Sequence, residues 1–146
     1  MSAFSNIPPH AVLPLGTYQL DDLKKAARYA DQRLLHANLA ASKDKKEVLA
    51  GLSKAFSLPR HFGNNLDALY DCMTDMKPLP DAEQPGFVVI LENVPESQSF
   101  DAEARDALLD VFRDAADYFF DRRTAFRVFY SVARPNPSGG APQLSS

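Results

Sequence analysis

The sequence has little of what disulfide-bonded domains, metal sites and nucleotide-binding loops require. It contains one cysteine, Cys72, no tryptophan and only six glycines among 146 residues, so an internal disulfide is excluded and a phosphate-cradling glycine loop is absent. The histidines His10, His36 and His61 show none of the spacings of zinc sites, and we expect no metal and no cofactor. No apolar run reaches the length of a membrane span, and the first residues lack the pattern of a signal peptide. We therefore expect a cytoplasmic protein that does not bind membranes.

What the sequence does contain is apolar material for one core and a marked separation of charge. Hydrophobic residues make up 45% of the chain, which suits a single domain of this length. The net charge of −3 conceals an acidic block, because residues 61–121 hold fourteen acidic and only three basic side chains. Such a block would repel phosphates, so we expect no direct nucleic-acid binding and favour a cationic partner instead.

The pattern of apolar residues predicts strands that alternate with helices. This alternation is typical of an α/β fold with a small parallel sheet and right-handed crossovers. A capping-box spacing from Asp44 to Glu47 and an N-cap at Asn65 predict where two of the helices begin. The predicted elements are helix 20–29, strand 33–39, a helix from Asp44 that ends at Leu58-Pro59, helix 65–76, strand 87–91, helix 101–121 and an alternating strand 126–132.

The same reading divides the chain into four parts. Residues 1–16, with three prolines, are expected to form an extended lead-in, and residues 17–32 a helical extension. Residues 33–132 form the main domain. Residues 133–146 are rich in proline, glycine and serine and are expected to be disordered.

A catalytic function has little support in the residues. Cys72 could be a nucleophile paired with His61, but it lies in the middle of a predicted helix beside core positions, where an inert buried thiol is the commoner role. An enzyme that uses His61 with Asp67 stays open as the least favoured hypothesis. We expect no catalytic residues.

The unusual feature is the predicted helix 65–76. Asp67, Asp71 and Asp75 recur every four residues, on a different side from the apolar stripe, and the helix contains no lysine or arginine. The helix dipole accounts for Asp67 in the first turn, but like charges four residues apart cost about 0.2–0.5 kcal/mol per pair. A solvated face and a binding surface both account for this pattern, and the residues alone do not decide between them.

The predicted helix 101–121 carries a second set of acids. Asp106, Asp110, Asp117 and Asp121 are expected on its solvated outer face. Asp114 lies at the margin of the apolar stripe, and we expect it to face a neighbouring element.

The segment LPRHFGNNLDALYDCMT, residues 58–74, resembles the barstar family of ribonuclease inhibitors. The shared pattern is Leu-Pro, two mostly aromatic residues, Gly-x-Asn-Leu-Asp-Ala-Leu, an aromatic residue and Asp-Cys-x-Thr. Residues 111–115 resemble the family's later helix, and the order of elements from about residue 33 to 132 agrees. The resemblance implies a domain with a three-stranded parallel sheet packed by helices. The predicted N-terminal helix would be an extension of this domain.

The resemblance also implies a function and a set of contact residues. Asp71 matches the acid that enters the phosphate-binding site of a small, basic, barnase-type ribonuclease, and His61 stands where the archetype has a tyrosine. Tyr118 stands where the archetype has another acid, so that contact is expected to be lost. The expected ribonuclease-binding residues are His61, Phe62, Gly63, Asn65, Leu66, Asp67, Tyr70, Asp71, Thr74, Asp75, Met76 and Asp114.

Our leading hypothesis from the sequence is therefore an inhibitor, monomeric when free, that binds one ribonuclease and occludes its active site. The alternative is a non-inhibitory acidic module of the same fold that docks on another basic protein.

Overall fold

The computed structural model describes residues 7–16, 18–59 and 65–133. Within these ranges strands and helices alternate along the chain, except that two helices follow one another before the third strand, and every neighbouring pair of strands is parallel. The sheet order is β1-β4-β3-β2. The elements are β1 (His10–Pro14), α1 (Leu20–Tyr29), β2 (Arg33–Asn38), α2 (Lys45–Ala55), α3 (Leu66–Asp75), β3 (Gly86–Val94), α4 (Ala102–Phe120) and β4 (Ala125–Val132).

The predicted α/β class is confirmed, but the sheet has four strands where the resemblance implied three. The additional strand is β1, which lies in the segment predicted to be only an extended lead-in. It pairs with β4 from His10 opposite Phe126 to Pro14 opposite Tyr130. β1 covers the outer edge of β4, so β4 is an interior strand. Residues 126–129 are all buried instead of alternating as expected, because Phe126 and Val128 belong to one core and Phe129 to the core on the other face.

The two faces of the sheet are covered unequally. On one face α1 packs alone, and its Leu23 and Ala27 form an apolar cluster with Val88, Ile90 and Phe129 of the sheet. On the other face α2, α3 and α4 bury the larger core. None of the described helices is long and apolar enough to cross a membrane.

Helices α3 and α4 are neighbours on the more heavily covered face. Leu69 and Met73 of α3 are fully buried, as the predicted apolar stripe requires, while Leu66 at the start of the helix is partly buried. The predicted N-cap is present, because the side-chain oxygen of Asn65 accepts a hydrogen bond of 2.7 Å from the amide of Ala68. The outward face of α3 is therefore held in a fixed orientation by its cap and its core.

Replacing Asn65 with alanine is expected to lower the free energy of unfolding by about 1 kcal/mol, because the first turn of α3 loses the acceptor for the Ala68 amide. Urea denaturation followed by circular dichroism measures this change. Asn65→Ser keeps a capping oxygen and is expected to remain close to wild type. An alanine variant as stable as the serine variant would contradict the capping role.

Several predicted parts lie outside the described ranges. These are the first six residues of the lead-in, the site residues His61, Phe62 and Gly63 and, apart from Ala133, the tail expected to be disordered.

Candidate functional site: the acidic groove between α3 and α4

Where α3 and α4 lie side by side they leave an open groove of about 630 Å³. One wall is the outward face of α3, and the other is the C-terminal half of α4 with the two residues that follow it. We call this feature the acidic groove. Its lining residues are Leu66, Asp67, Tyr70, Asp71, Val111, Asp114, Asp117, Tyr118, Asp121 and Arg122.

The acidic groove concentrates negative charge that the described part of the chain does not neutralise. Five of its ten lining residues are aspartates and one is an arginine, and all five aspartates are exposed. Within the described ranges Arg113 pairs with Asp110 and His36 lies beside Glu92, and neither contact involves a groove aspartate. A cleft lined by one sign of charge focuses the potential and attracts a ligand of the opposite sign.

Asp71 lies on α3 between the acidic groove and a second cleft, and it lines both. The second cleft, of about 550 Å³, lies between α3 and the end of α2 and also includes Asp75, Met76 and the partly buried Cys72. Within the described residues, the Asp71 carboxylate makes no hydrogen bond and no ion pair. A partner lying across α3 would therefore meet an unpaired carboxylate at the centre of its contact.

The structure distributes the predicted site residues over three places. Leu66, Asp67, Tyr70, Asp71 and Asp114 meet in the acidic groove, and Asp114 faces α3 across it, as its position at the margin of the stripe suggested. Asp75 and Met76 line the second cleft. Asn65 caps α3, and the hydroxyl of Thr74 donates to the carbonyl oxygen of Tyr70 at 2.9 Å. His61, Phe62 and Gly63 lie outside the described ranges, as does any pairing of His61 with Asp67 or Cys72.

Comparison with known proteins shows the family to which this chain belongs. Residues 32–131 match the family model described as Barstar (barnase inhibitor). The chain belongs to the barstar family. A relative from Bacillus subtilis (strain 168), named "Putative ribonuclease inhibitor YrdF", is 31% identical over 70 residues, which are 48% of this chain and 70% of the relative.

The region that matches the barstar family contains every residue that lines the acidic groove, but it does not include β1 and α1. The match begins at Gln32, so β1 and α1 precede it, although both are part of the folded sheet and its second core. This barstar-family chain therefore carries, ahead of the matched residues, an edge strand that pairs with β4 and a helix that packs on one face of the sheet.

Sequence reasoning missed most of the α4 wall of the groove in this barstar-family chain. Asp117 and Asp121 were predicted to be merely solvated, yet both line the groove, together with Tyr118 and Arg122. The spacing of Asp114, Asp117 and Asp121 places the three side chains on one helical face, which could have indicated a shared surface. The spacing alone is ambiguous because Asp106 lies on the same face. Only the packing of the helices decides which half of that face lies beside α3.

Within the described residues, no group of three or more His, Cys, Asp and Glu side chains is arranged to hold a metal ion. The chemistry that the acidic groove offers is the binding of positively charged groups by carboxylates.

The thiol of Cys72 is expected to react slowly. Burial raises the pKa of the Cys72 thiol above its ordinary value of 9.0, and the charges of Asp75 and Asp71 raise it further. The reactive thiolate is therefore scarce below pH 9, and the rate of alkylation by iodoacetamide should keep rising with pH through that value. Asp75→Asn removes one negative charge, lowers the pKa of the thiol and should increase the rate at pH 8.

The urea-unfolded chain serves as the control for that measurement, because its thiol is free of both burial and fixed neighbours. A folded chain that reacts at pH 8 as fast as the unfolded one would contradict this account of Cys72.

Proposed function

We propose that this chain inhibits a small basic ribonuclease of the barnase type by docking α3 against the site where the enzyme holds the RNA phosphate. The observation that carries the proposal is the Asp71 carboxylate, which is exposed, unpaired among the described residues, and set in a groove of five aspartates. Membership of the barstar family and the name of the Bacillus relative support ribonucleases as the class of partner.

The physical basis is the substitution of a carboxylate for a phosphate. A ribonuclease must hold phosphates and stabilise charge as the RNA is cut, so its cleft presents arginine, lysine and protonated histidine. A carboxylate that enters this cleft accepts charge-assisted hydrogen bonds, which are bidentate where the donor is an arginine. The enzyme would then be blocked by occupation of its cleft, and the inhibitor would catalyse nothing.

Rigidity supports the same proposal. Helix α3 is anchored by the fully buried Leu69 and Met73 and capped by Asn65. A side chain carried on such a helix has little backbone freedom left to lose when a partner binds. Asp67 lies one turn before Asp71, and Asp114 faces them from α4, so three carboxylates are presented together.

The remaining predicted contacts fit this arrangement as proposals. Tyr70 and Leu66 would contribute apolar contact beside the carboxylates, and Asp75 and Met76 would contact the enzyme at the end of α3. The same proposal places the protein in the cytoplasm of the cell that makes the ribonuclease, as a monomer when free.

The test is a titration of RNA cleavage by a panel of small basic guanyl-specific ribonucleases that includes barnase. We expect cleavage by at least one of them to stop at one equivalent of the inhibitor, and sedimentation to show a one-to-one complex formed from a monomer. A tight complex that still cleaves RNA would instead indicate the non-inhibitory module. Failure to bind any enzyme of the panel would overturn the proposed partner class.

A further inference from the structure

Arg122 is the one basic residue among those that line the acidic groove, and its side chain is held in an unexpected place. The guanidinium carbon lies 3.6 Å from the centre of the Tyr118 ring. One guanidinium nitrogen, Nη1, donates a hydrogen bond of 2.9 Å to the backbone carbonyl oxygen of Tyr118. Among the described residues, Arg122 makes no ion pair with any of the five groove aspartates.

This placement leaves the carboxylates of the groove open. A flexible arginine beside five aspartates would ordinarily pair with one of them, and the groove would then lose part of its attraction for an outside cation. Stacking on an aromatic ring is comparable in strength to an exposed ion pair, so the ring can compete for the guanidinium. The carbonyl of Tyr118 adds to this competition because it lies in the last turn of α4, at the negative end of the helix dipole.

We propose that Tyr118 is a positioning residue that holds Arg122 away from the groove aspartates and thereby keeps the acidic groove available to a positively charged partner. This inference rests on the proposed function, because it assigns a role to Tyr118 within the same binding surface. It also gives a specific role to the position where the resemblance implied only the loss of an acidic contact.

A double-mutant cycle of Tyr118 and Arg122 tests this role. Tyr118→Ala frees Arg122 to pair with an aspartate, and a pair of this exposed kind would weaken binding of the ribonuclease by up to about fivefold. Arg122→Ala removes a like charge from the path of the partner and should tighten binding by about twofold. The double variant, which has no arginine to misplace, should bind at least as tightly as wild type.

Two control variants separate this role from others. Tyr118→Phe keeps the ring that holds the guanidinium and should bind like wild type. Arg113→Ala removes a positive charge from α4 at a residue that pairs with Asp110 outside the groove, so it should not reproduce the effect of Arg122→Ala.

The cycle should be measured by calorimetry with two ligands, the inhibited ribonuclease and a hexa-arginine peptide. The peptide needs no enzyme, so a correct pattern with the peptide but no ribonuclease binding would overturn the proposed function and leave the role of Tyr118 supported. A double variant that binds the peptide as weakly as Tyr118→Ala would show that Tyr118 contacts the ligand directly, which overturns the positioning role. Failure of the wild-type chain to bind the peptide would overturn the positioning role as well.

Discussion

Replacing Asp71 with alanine should weaken the complex with the ribonuclease by about 100-fold or more. In the proposed complex this carboxylate is desolvated against the cations of the enzyme's phosphate site. Removing one partner of a buried charged pair typically costs about 3 kcal/mol or more, because the other charges are left buried without compensation. The loss should be measured by calorimetry or by titration of RNA cleavage.

The same substitution should leave the free chain at least as stable as wild type. Asp71 is exposed and its carboxylate makes no hydrogen bond and no ion pair among the described residues, so its removal breaks none. Alanine is a better residue than aspartate inside a helix, and the substitution relieves repulsion from Asp67 and Asp75, each four residues away. We expect the free energy of unfolding to be unchanged or higher by up to about 1 kcal/mol. Affinity and stability would then move in opposite directions, which is the signature of a residue retained for binding.

Asp106→Ala is the matched control for this experiment. Asp106 is an exposed aspartate inside a helix, like Asp71, but it lies on α4 outside the groove lining. Asp71→Asn adds a second comparison, because it keeps the shape of the side chain and removes its charge. Equal losses of affinity for Asp71→Ala and Asp106→Ala, or a clear loss of stability for Asp71→Ala, would refute the role assigned to Asp71.

The second large effect is expected in the rate of association. Raising the salt concentration from about 20 mM to about 500 mM shortens the screening length from roughly 20 Å to a few ångströms. The acidic groove should then no longer steer a basic enzyme, and the association rate constant should fall by about tenfold or more. Stopped-flow mixing measures this rate, while the dissociation rate is expected to change much less.

Paired charge variants show whether the acidic groove causes this dependence. Asp117→Asn with Asp121→Asn removes two charges that line the groove. Glu103→Gln with Asp106→Asn removes two exposed charges from the other half of α4. The first pair should slow association at low salt more than the second and should flatten the salt dependence. Equal effects from the two pairs would mean that net charge matters and the groove does not.

Much of the fold could be predicted from the sequence because its signals are local. The capping residues Asp44 and Asn65 lie within three residues of the amides that they accept from, and amphipathic periodicity identified each helix. The continuous apolar run at 87–91 marked a strand buried on both faces, and it is the centre of β3. The acidic face of α3 could also be predicted, because residues four apart share a helical face independently of the tertiary structure.

The strand β1 could not be predicted because its stability comes from a distant part of the chain. Five residues with a terminal proline carry a weak strand signal, and their hydrogen-bonding partner is β4, at the other end of the domain. Sheet pairing between such distant segments depends on the packing that brings them together.

By itself, then, the sequence determined the α/β class, the positions of the helices and the acidic face of α3. Only the tertiary structure decided that Asp117 and Asp121 join that face in one groove, and that Arg122 stacks on Tyr118 instead of pairing with an aspartate. The physical reason is that a helical face is set by the spacing of neighbouring residues. A groove exists only where two helices, each anchored in the common core by its own buried side chains, come to lie side by side.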